Sequence, residues 1–385
     1  MDTERIDTVV VGAGQAGVAI GHYLAAQGRP FVILDAHSRV GDAWRTRWDS
    51  LRLFTPARFS GLPGSPYPGS PWAFPTREEF SDYVERYATE RALPIRTATR
   101  VERLGRDGAG FIIETDHGRF VAERVVVAAG FDALPKVPEL ASELAPSIVQ
   151  LHSVDYRRPA QLPDGDVLVV GAGNSGADIA LELAQTRRVL LAGRHPGQVP
   201  FRIEGRSSRW LSLLVFAAFT HVLTVRTPIG RRARAKVLVH SGPLIRVKSA
   251  DLDVAGVQRV RRIAGVIDGR PVTEDGRVLD VACVVWCTGF RPDVSWIDLP
   301  VLGDGGTIVN ERGVCTMQPG LYVLGQLFQD SLASSMVHGA GRDAKYVAAQ
   351  IARDAQSPGP GASPSGARAE EPLAGPGSIA SGNAV

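Results

Sequence analysis

Ile6-Asp7-Thr8-Val9-Val10-Val11-Gly12-Ala13-Gly14-Gln15-Ala16-Gly17 is the stretch on which the fold turns. The run at 6–11 reads as a strand buried on both faces of a parallel sheet, and residues 15–27 read as a helix with small residues on its packing face. Between them Gly12 makes the tight turn, Gly14 lets backbone approach a diphosphate, and Gly17 permits close helix packing. Gln15 and Ala16 open the helix, at whose N-terminus a diphosphate sits. A second strand at 31–35 (FVILD) ends on Asp35, 23 residues after Gly12, where a carboxylate accepts hydrogen bonds from both hydroxyls of an unphosphorylated ribose.

The same unit recurs downstream. Residues 167–171 (VLVVG), 174–186 and 188–192 repeat strand, glycine turn, helix and strand around Gly171-Ala172-Gly173-Asn174-Ser175-Gly176. At the same offset of 23 residues stands Arg194, followed by His195, in place of the acid. A cation there suits a ribose 2′-phosphate that a carboxylate would repel. The first site is therefore expected to hold an adenosine with a bare ribose, and the second to prefer NADPH.

Composition narrows the alternatives. Hydrophobic residues make up 44% and charged residues 22% of the 385, which excludes whole-chain disorder. With 43 basic against 40 acidic residues the net charge of +3 is too small for a phosphate-tracking field, and no helix read from the sequence carries a dense basic stripe, so nucleic acid is not an expected partner. Three cysteines, Cys283, Cys287 and Cys315, and an acidic start (MDTER) point to a cytoplasmic protein. No metal site is expected. The apolar stretch Trp210 to Val225 would reach roughly 24 Å as a helix, short of about 30 Å of hydrocarbon, and reads as a buried helix on the substrate side in preference to a membrane-surface helix.

Six prolines between 55 and 75 forbid regular structure there and predict an ordered excursion loop. Phe80, Tyr83 and Tyr87 mark 77–91 as an amphipathic helix. The segments RVVVAAG (124–130) and VACVVWCTG (281–289) read as strands at sheet edges facing a cofactor. Residues 356–385, with six glycines and five prolines, read as a disordered tail.

The two fingerprints, Trp44 in GDAW, LRLFTP at 51–56 and CTGF at 287–290 resemble class B flavin-dependent monooxygenases, especially the short bacterial flavin-containing monooxygenases and the YUCCA-like enzymes. The resemblance covers about residues 5–350 and implies an α/β fold of two Rossmann-like dinucleotide-binding domains, for FAD and NADPH, the second inserted in the first. The units are expected at 1–160 and 281–355 (FAD) and at 161–280 (NADPH, with the substrate-side helix). It further implies that Trp44, Arg52 and Gly130 join Gly12, Gly14 and Asp35 at FAD, and that Thr288 joins Gly173, Asn174, Ser175 and Arg194 at NADPH. Gly325 and Gln326, after a short strand at 320–324, are expected beside the flavin, with Gln326 where many two-dinucleotide flavoproteins carry Asp. A helix from about Arg342 is expected to point its N-terminus, near Gly341 to Ala344, at the flavin.

Departures from the family pattern are specific. Of F-x-G-x-x-x-H-x-x-x-[FYW] only His152 and Tyr156 are present, with Pro146 and Ile148 in the Phe and Gly places; Phe54 replaces a flavin-side asparagine, and Arg157 follows Tyr156 where Baeyer–Villiger enzymes have Trp-Pro. Cys283 and Cys287, some 13 Å apart along a strand at about 3.3 Å per residue, cannot bridge, so flavin electrons must go to oxygen, to a small substrate or to another protein. No catalytic side chain stands out beyond His152, which reads more readily as structural.

The expected activity is NADPH-dependent FAD monooxygenation of a small organic substrate at sulfur, nitrogen or carbonyl carbon, through the C4a-hydroperoxyflavin that the resemblance implies. The partners are then that substrate and O2, with a homodimer compatible. Alternatives are an NADPH-dependent flavoprotein reductase passing electrons to a partner and a non-catalytic nucleotide-sensing flavoprotein.

Overall fold

The computed structural model describes residues 3–356 apart from 109, 131–133, 204, 206–207, 240–241 and 304–305. All but the first residue of the expected tail lies outside these. The chain runs β1 (Thr3–Val11), α1 (Gln15–Ala26), β2 (Phe31–Leu34), α2 (Asp42–Arg45), α3 (Arg77–Glu90), β3 (Ile95–Arg96), β4 (Val101–Asp107), β5 (Gly110–Thr115) and β6 (Gly118–Val127). It continues through β7 (Leu134–Pro135), β8 (Val149–His152), β9 (Val167–Val170), α4 (Asn174–Leu183), β10 (Val189–Ala192), α5 (Arg209–Ala217), α6 (Pro228–Val239), α7 (Ser249–Val254) and β11 (Gln258–Val260). Then follow β12 (Ile263–Ile267), β13 (Arg270–Thr273), β14 (Cys283–Trp286), β15 (Phe290–Arg291), β16 (Asn310–Glu311), β17 (Val314–Cys315), β18 (Leu321–Val323) and α8 (Val337–Gln356).

Two sheets carry these elements. In the first the parallel order β18-β6-β1-β2-β3 is extended by β16-β17 and by the hairpin β4-β5. The second, β11-β10-β9-β14-β8, is parallel throughout. A central parallel strand is covered on both faces, and so reads as unbroken aliphatics. In β1 the side chains alternate accordingly: Val10 joins Ile33, Val126 and the helices on one face, while Val9 and Val11 join Leu104, Phe111 and Phe120 on the other. Val167 and Val169 of β9 belong to the same cluster as Val10, so one core is continuous across the two sheets.

The proline-rich excursion is ordered by α3. Thr76 and Glu79 form a capping box at the start of that helix. One and two turns on, Tyr83 Oη accepts from Leu62 N at 2.7 Å and donates to Ser65 O at 2.6 Å, and Tyr87 Oη donates to Pro63 O at 2.9 Å.

Several expectations are corrected. β6 and β14 are interior strands, each hydrogen-bonded on both sides. β14 pairs with β9 on one side and β8 on the other, so the second sheet takes 149–152 and 283–286, and the crossings fall near β7 and β15 rather than at 160 and 281. Helix α8 starts at Val337 instead of near Arg342, so its N-terminus is not at 341–344. The apolar stretch at 210–225 ends its α-helix at Ala217, and buries Ser212 and Phe216 while Trp210 and Leu214 are exposed. A basic stripe does exist, on α6, where Arg231, Arg232, Arg234 and Lys236 are exposed.

Candidate functional site

The two glycine loops are built alike. Gly12 (φ +103°) donates its N–H to Leu34 O at 2.7 Å, and a Cβ on it would lie 2.6 Å from Ala128 O at the end of β6. Gly171 (φ +113°) donates to Ala192 O at 2.8 Å, and its Cβ would lie 2.2 Å from Cys287 O beyond β14. Gly17 and Gly176 would each drive a Cβ to 1.8 Å from the oxygen of the glycine that opens the loop. Gly14 and Gly173 are the N-caps of α1 and α4, with extended backbone in both, no side-chain cap and no acid in the first turn. Unpaired N–H groups therefore face outward at both helix starts, which is an anion cradle. A Cβ on Gly14 would meet nothing within 4 Å, so the space in front of α1 is open, as a diphosphate needs.

Asp35 is anchored directly beside the first loop. Its Oδ2 accepts from Ala13 N at 2.5 Å, and Oδ1 accepts from His37 N at 2.8 Å and lies 2.8 Å from His37 Nδ1. Burial pushes the carboxyl up, but the bonds from His37 and from the Ala13 and His37 amides outweigh it, and the group is held below the usual carboxylate range. Three donors leave acceptor capacity on an ionised carboxylate for a ribose hydroxyl. Trp44 Nε1 donates to Gln15 Oε1 at 3.2 Å, closing the entrance of α1, and Ala16 lies under Gly325, whose Cβ would come within 3.4 Å of it. Gly130 (φ +80°) has open space around it. Arg52 donates to Phe74 O at 3.0 Å, and Gln326 Oε1 accepts from Asn310 Nδ2 at 2.8 Å.

At the second loop Arg194 and His195 line a cleft of about 600 Å3 with Arg259, Arg261, Arg262 and Arg277. Five arginines against Glu274 and Asp275 make it cationic. The four downstream arginines escape the sequence reading because β11 and the β12–β13 hairpin bring them back over the end of β10; the run Arg259-Val260-Arg261-Arg262 was their only local signal. His195 has both ring nitrogens engaged, with Ser249 Oγ at 2.8 Å and Gly197 N at 2.9 Å. Ser175 lies in the first turn of α4. Two residues implied to face NADPH have their side chains on backbone instead. Asn174 donates to Pro243 O at 3.1 Å and accepts from Ile245 N at 3.0 Å, and Thr288 donates to Lys136 O.

His152 is buried, with Nε2 3.1 Å from Gly289 O and Nδ1 3.2 Å from Val154 N, so backbone engages both nitrogens. A histidine not singled out from the sequence is placed differently. His338, at the start of α8, packs edge-on against Phe59 (5.9 Å between ring centroids) and Phe216 (5.5 Å), two members of a cluster that also takes in Phe54, Phe74 and Met336, and neither ring nitrogen has a hydrogen-bond partner. Burial, with Arg342 adding to it, pushes its pKa down to about 4, so it is neutral. Burial also raises the thiols, Cys283 to about 11 and Cys287 to about 12, and all three cysteines are free. Protonated thiols are poor nucleophiles.

Two dinucleotide cradles on one chain, one beside a buried acid and the other beside a cationic cleft, define an FAD- and NADPH-dependent oxidoreductase. The chain matches the family described as "Pyridine nucleotide-disulphide oxidoreductase" over residues 9–325, and it belongs to that family. It is 38% identical over 345 residues to the "Uncharacterized oxidoreductase CzcO-like" of Geobacillus kaustophilus, spanning 89% of this chain and 97% of that one. With "Indole-3-pyruvate monooxygenase YUCCA1" of Oryza sativa it shares 27% identity, over 82% and 86% of the two chains. The structure of the "Flavin-containing monooxygenase from Stenotrophomonas maltophilia" superposes with a TM-score of 0.75 at 28% identity, over 91% of this chain and 99% of that one. Within the family the chain stands among the flavin-dependent monooxygenases.

Proposed function

We propose that this enzyme uses NADPH and O2 to place one oxygen atom on a small, largely apolar organic molecule at sulfur, nitrogen or a carbonyl carbon. Bound FAD supplies the redox chemistry, taking hydride from NADPH and activating O2. Everything else is done by the chain. The α1 N-terminus and Asp35 hold the diphosphate and ribose of FAD, and Arg194 with its neighbouring arginines holds the 2′-phosphate of NADPH. The phenylalanine cluster around Phe59 and Phe216 keeps water away from the reacting atoms, and neutral His338 offers one N–H and one lone pair to a polar atom of the substrate. The relatives named for oxygenating indole-3-pyruvate agree with a pocket of this aromatic character.

One observation carries the reading: congruent glycine loops end in opposite charges, Asp35 and Arg194. Cysteine-based electron transfer is disfavoured by the free, protonated thiols. The test is turnover of FAD-loaded protein with NADPH under labelled dioxygen, screened against sulfides, amines and 2-oxo acids. Label in the product supports oxygenation; NADPH consumption with stoichiometric hydrogen peroxide and no labelled product points to a reductase or oxidase. Replacing Arg194 by Gln removes a charge-assisted bond of about 1.5–3 kcal/mol, so kcat/KM for NADPH should fall about ten- to hundredfold with NADH little affected.

A further inference from the structure

We propose that the segment carrying α5 and α6 docks this enzyme on the surface of an anionic lipid bilayer. Between residues 205 and 239 the sequence has seven arginines and lysines and no aspartate or glutamate, which leaves the rest of the chain with 36 basic against 40 acidic residues. A molecule close to neutral overall thus concentrates its positive charge in one segment. That segment also exposes large apolar side chains: Trp210 is 61% exposed, Leu214 59%, Ile229 58% and Leu238 52%. On α5, Trp210 and Leu214 sit one turn apart on the side away from buried Ser212 and Phe216. On α6, Gly230 is buried against Thr224, and Arg231, Arg232, Arg234 and Lys236 point outward with Ile229 and Leu238. Arg226, between the helices, is 3.9 Å from Asp330 and itself exposed.

Interleaved cations and large apolar groups on short helices match the boundary between lipid headgroups and acyl chains. Nine residues of α5 reach only about 13 Å, so the segment lies on the surface and does not cross it. Among the described residues no helix is long and apolar enough to span. A second copy of the chain fits worse, because an isologous contact would set two strongly cationic segments face to face. Nucleic acid fits worse as well, since phosphates reward the arginines but give Trp210, Leu214 and Ile229 nothing to enter.

The experiment is co-sedimentation of the full-length, FAD-loaded protein with vesicles of phosphatidylcholine mixed with phosphatidylglycerol, against vesicles of phosphatidylcholine alone. Binding is expected to the mixed vesicles only, and to be lost in about 1 M salt, where the screening length is roughly 3 Å. The triple variant R231E/R232E/R234E and the double variant W210S/L214S should each weaken it by at least about tenfold, with FAD content and NADPH turnover on a soluble substrate unchanged. The proposal is overturned by failure to sediment with either vesicle, or by undiminished binding in the triple variant. A dimer in sedimentation equilibrium that W210S/L214S dissolves, or duplex DNA bound as tightly by W210S/L214S as by the parent, would equally overturn it. Loss of labelled product in the oxygenation assay would leave vesicle binding untouched, so the two proposals fail separately.

Discussion

At the scale of the residue, His338 is where the proposed substrate contact can be set against stability. An unpaired buried polar group costs about 1–3 kcal/mol, and a phenylalanine of similar breadth removes that cost. His338→Phe should therefore raise the melting temperature of the protein while lowering kcat/KM for oxygenation about tenfold; a variant gaining stability with full activity would leave the histidine no part in substrate binding. Asp35 and His37 form a second informative pair. The bond to Asp35, against burial, raises the His37 imidazole above its usual 6.5, so its stabilisation is complete below that value and disappears as pH rises through the raised one. Asp35, held below its usual 3.8, stabilises above that value and loses its contribution as pH falls through the lowered one. Denaturant unfolding from acid to mildly alkaline pH should show His37→Gln flattening the alkaline decline and, because the imidazole also helps hold the Asp35 carboxyl low, making the acid decline shallower. Because His37 is 43% exposed the difference should stay below about 1 kcal/mol.

At the scale of the element, the glycine loops separate folding from binding. Gly176→Ala would set a methyl 1.8 Å from Gly171 O, and overpacking of that severity should cost about 3 kcal/mol or more, visible as a lowered denaturant midpoint without any ligand. Gly14→Ala meets open space, so the apoprotein should lose no more than about 1 kcal/mol, whereas FAD binding measured by fluorescence titration should weaken at least about tenfold. Both loops, their strands and their charges were legible in the sequence because each is a local pattern of fewer than about thirty residues. What escaped was decided by distant chain. The segment at 243–245 takes both ends of the Asn174 amide, contacts that the glycine-loop pattern does not show. The arginines of the cationic cleft gather only when β11 and the β12–β13 hairpin return to the end of β10. His338 carries no signal at all, since its isolation depends on Phe59 and Phe216, far from it in the chain.

At the scale of the whole molecule, the hydrophobic cluster that joins Val10 of β1 to Val169 of β9 makes the two nucleotide-binding sheets one cooperative body. Calorimetry should accordingly show a single unfolding transition, which FAD and NADPH each move upward, FAD at a hundredfold its Kd by about 2.7 kcal/mol. Two resolved transitions, each answering to one ligand, would refute that unity. The chain passes from the first sheet to the second by way of Leu134–Pro135 and back by way of Phe290–Arg291, and these two passages are hydrogen-bonded to each other as an antiparallel ribbon. Everything from 136 to 289 therefore begins and ends at neighbouring points in space. A segment with adjoining ends can be lifted from one gene and set into a surface turn of another without stretching its host, which offers a physical route by which an ancestral one-nucleotide protein acquired a doubled copy of itself.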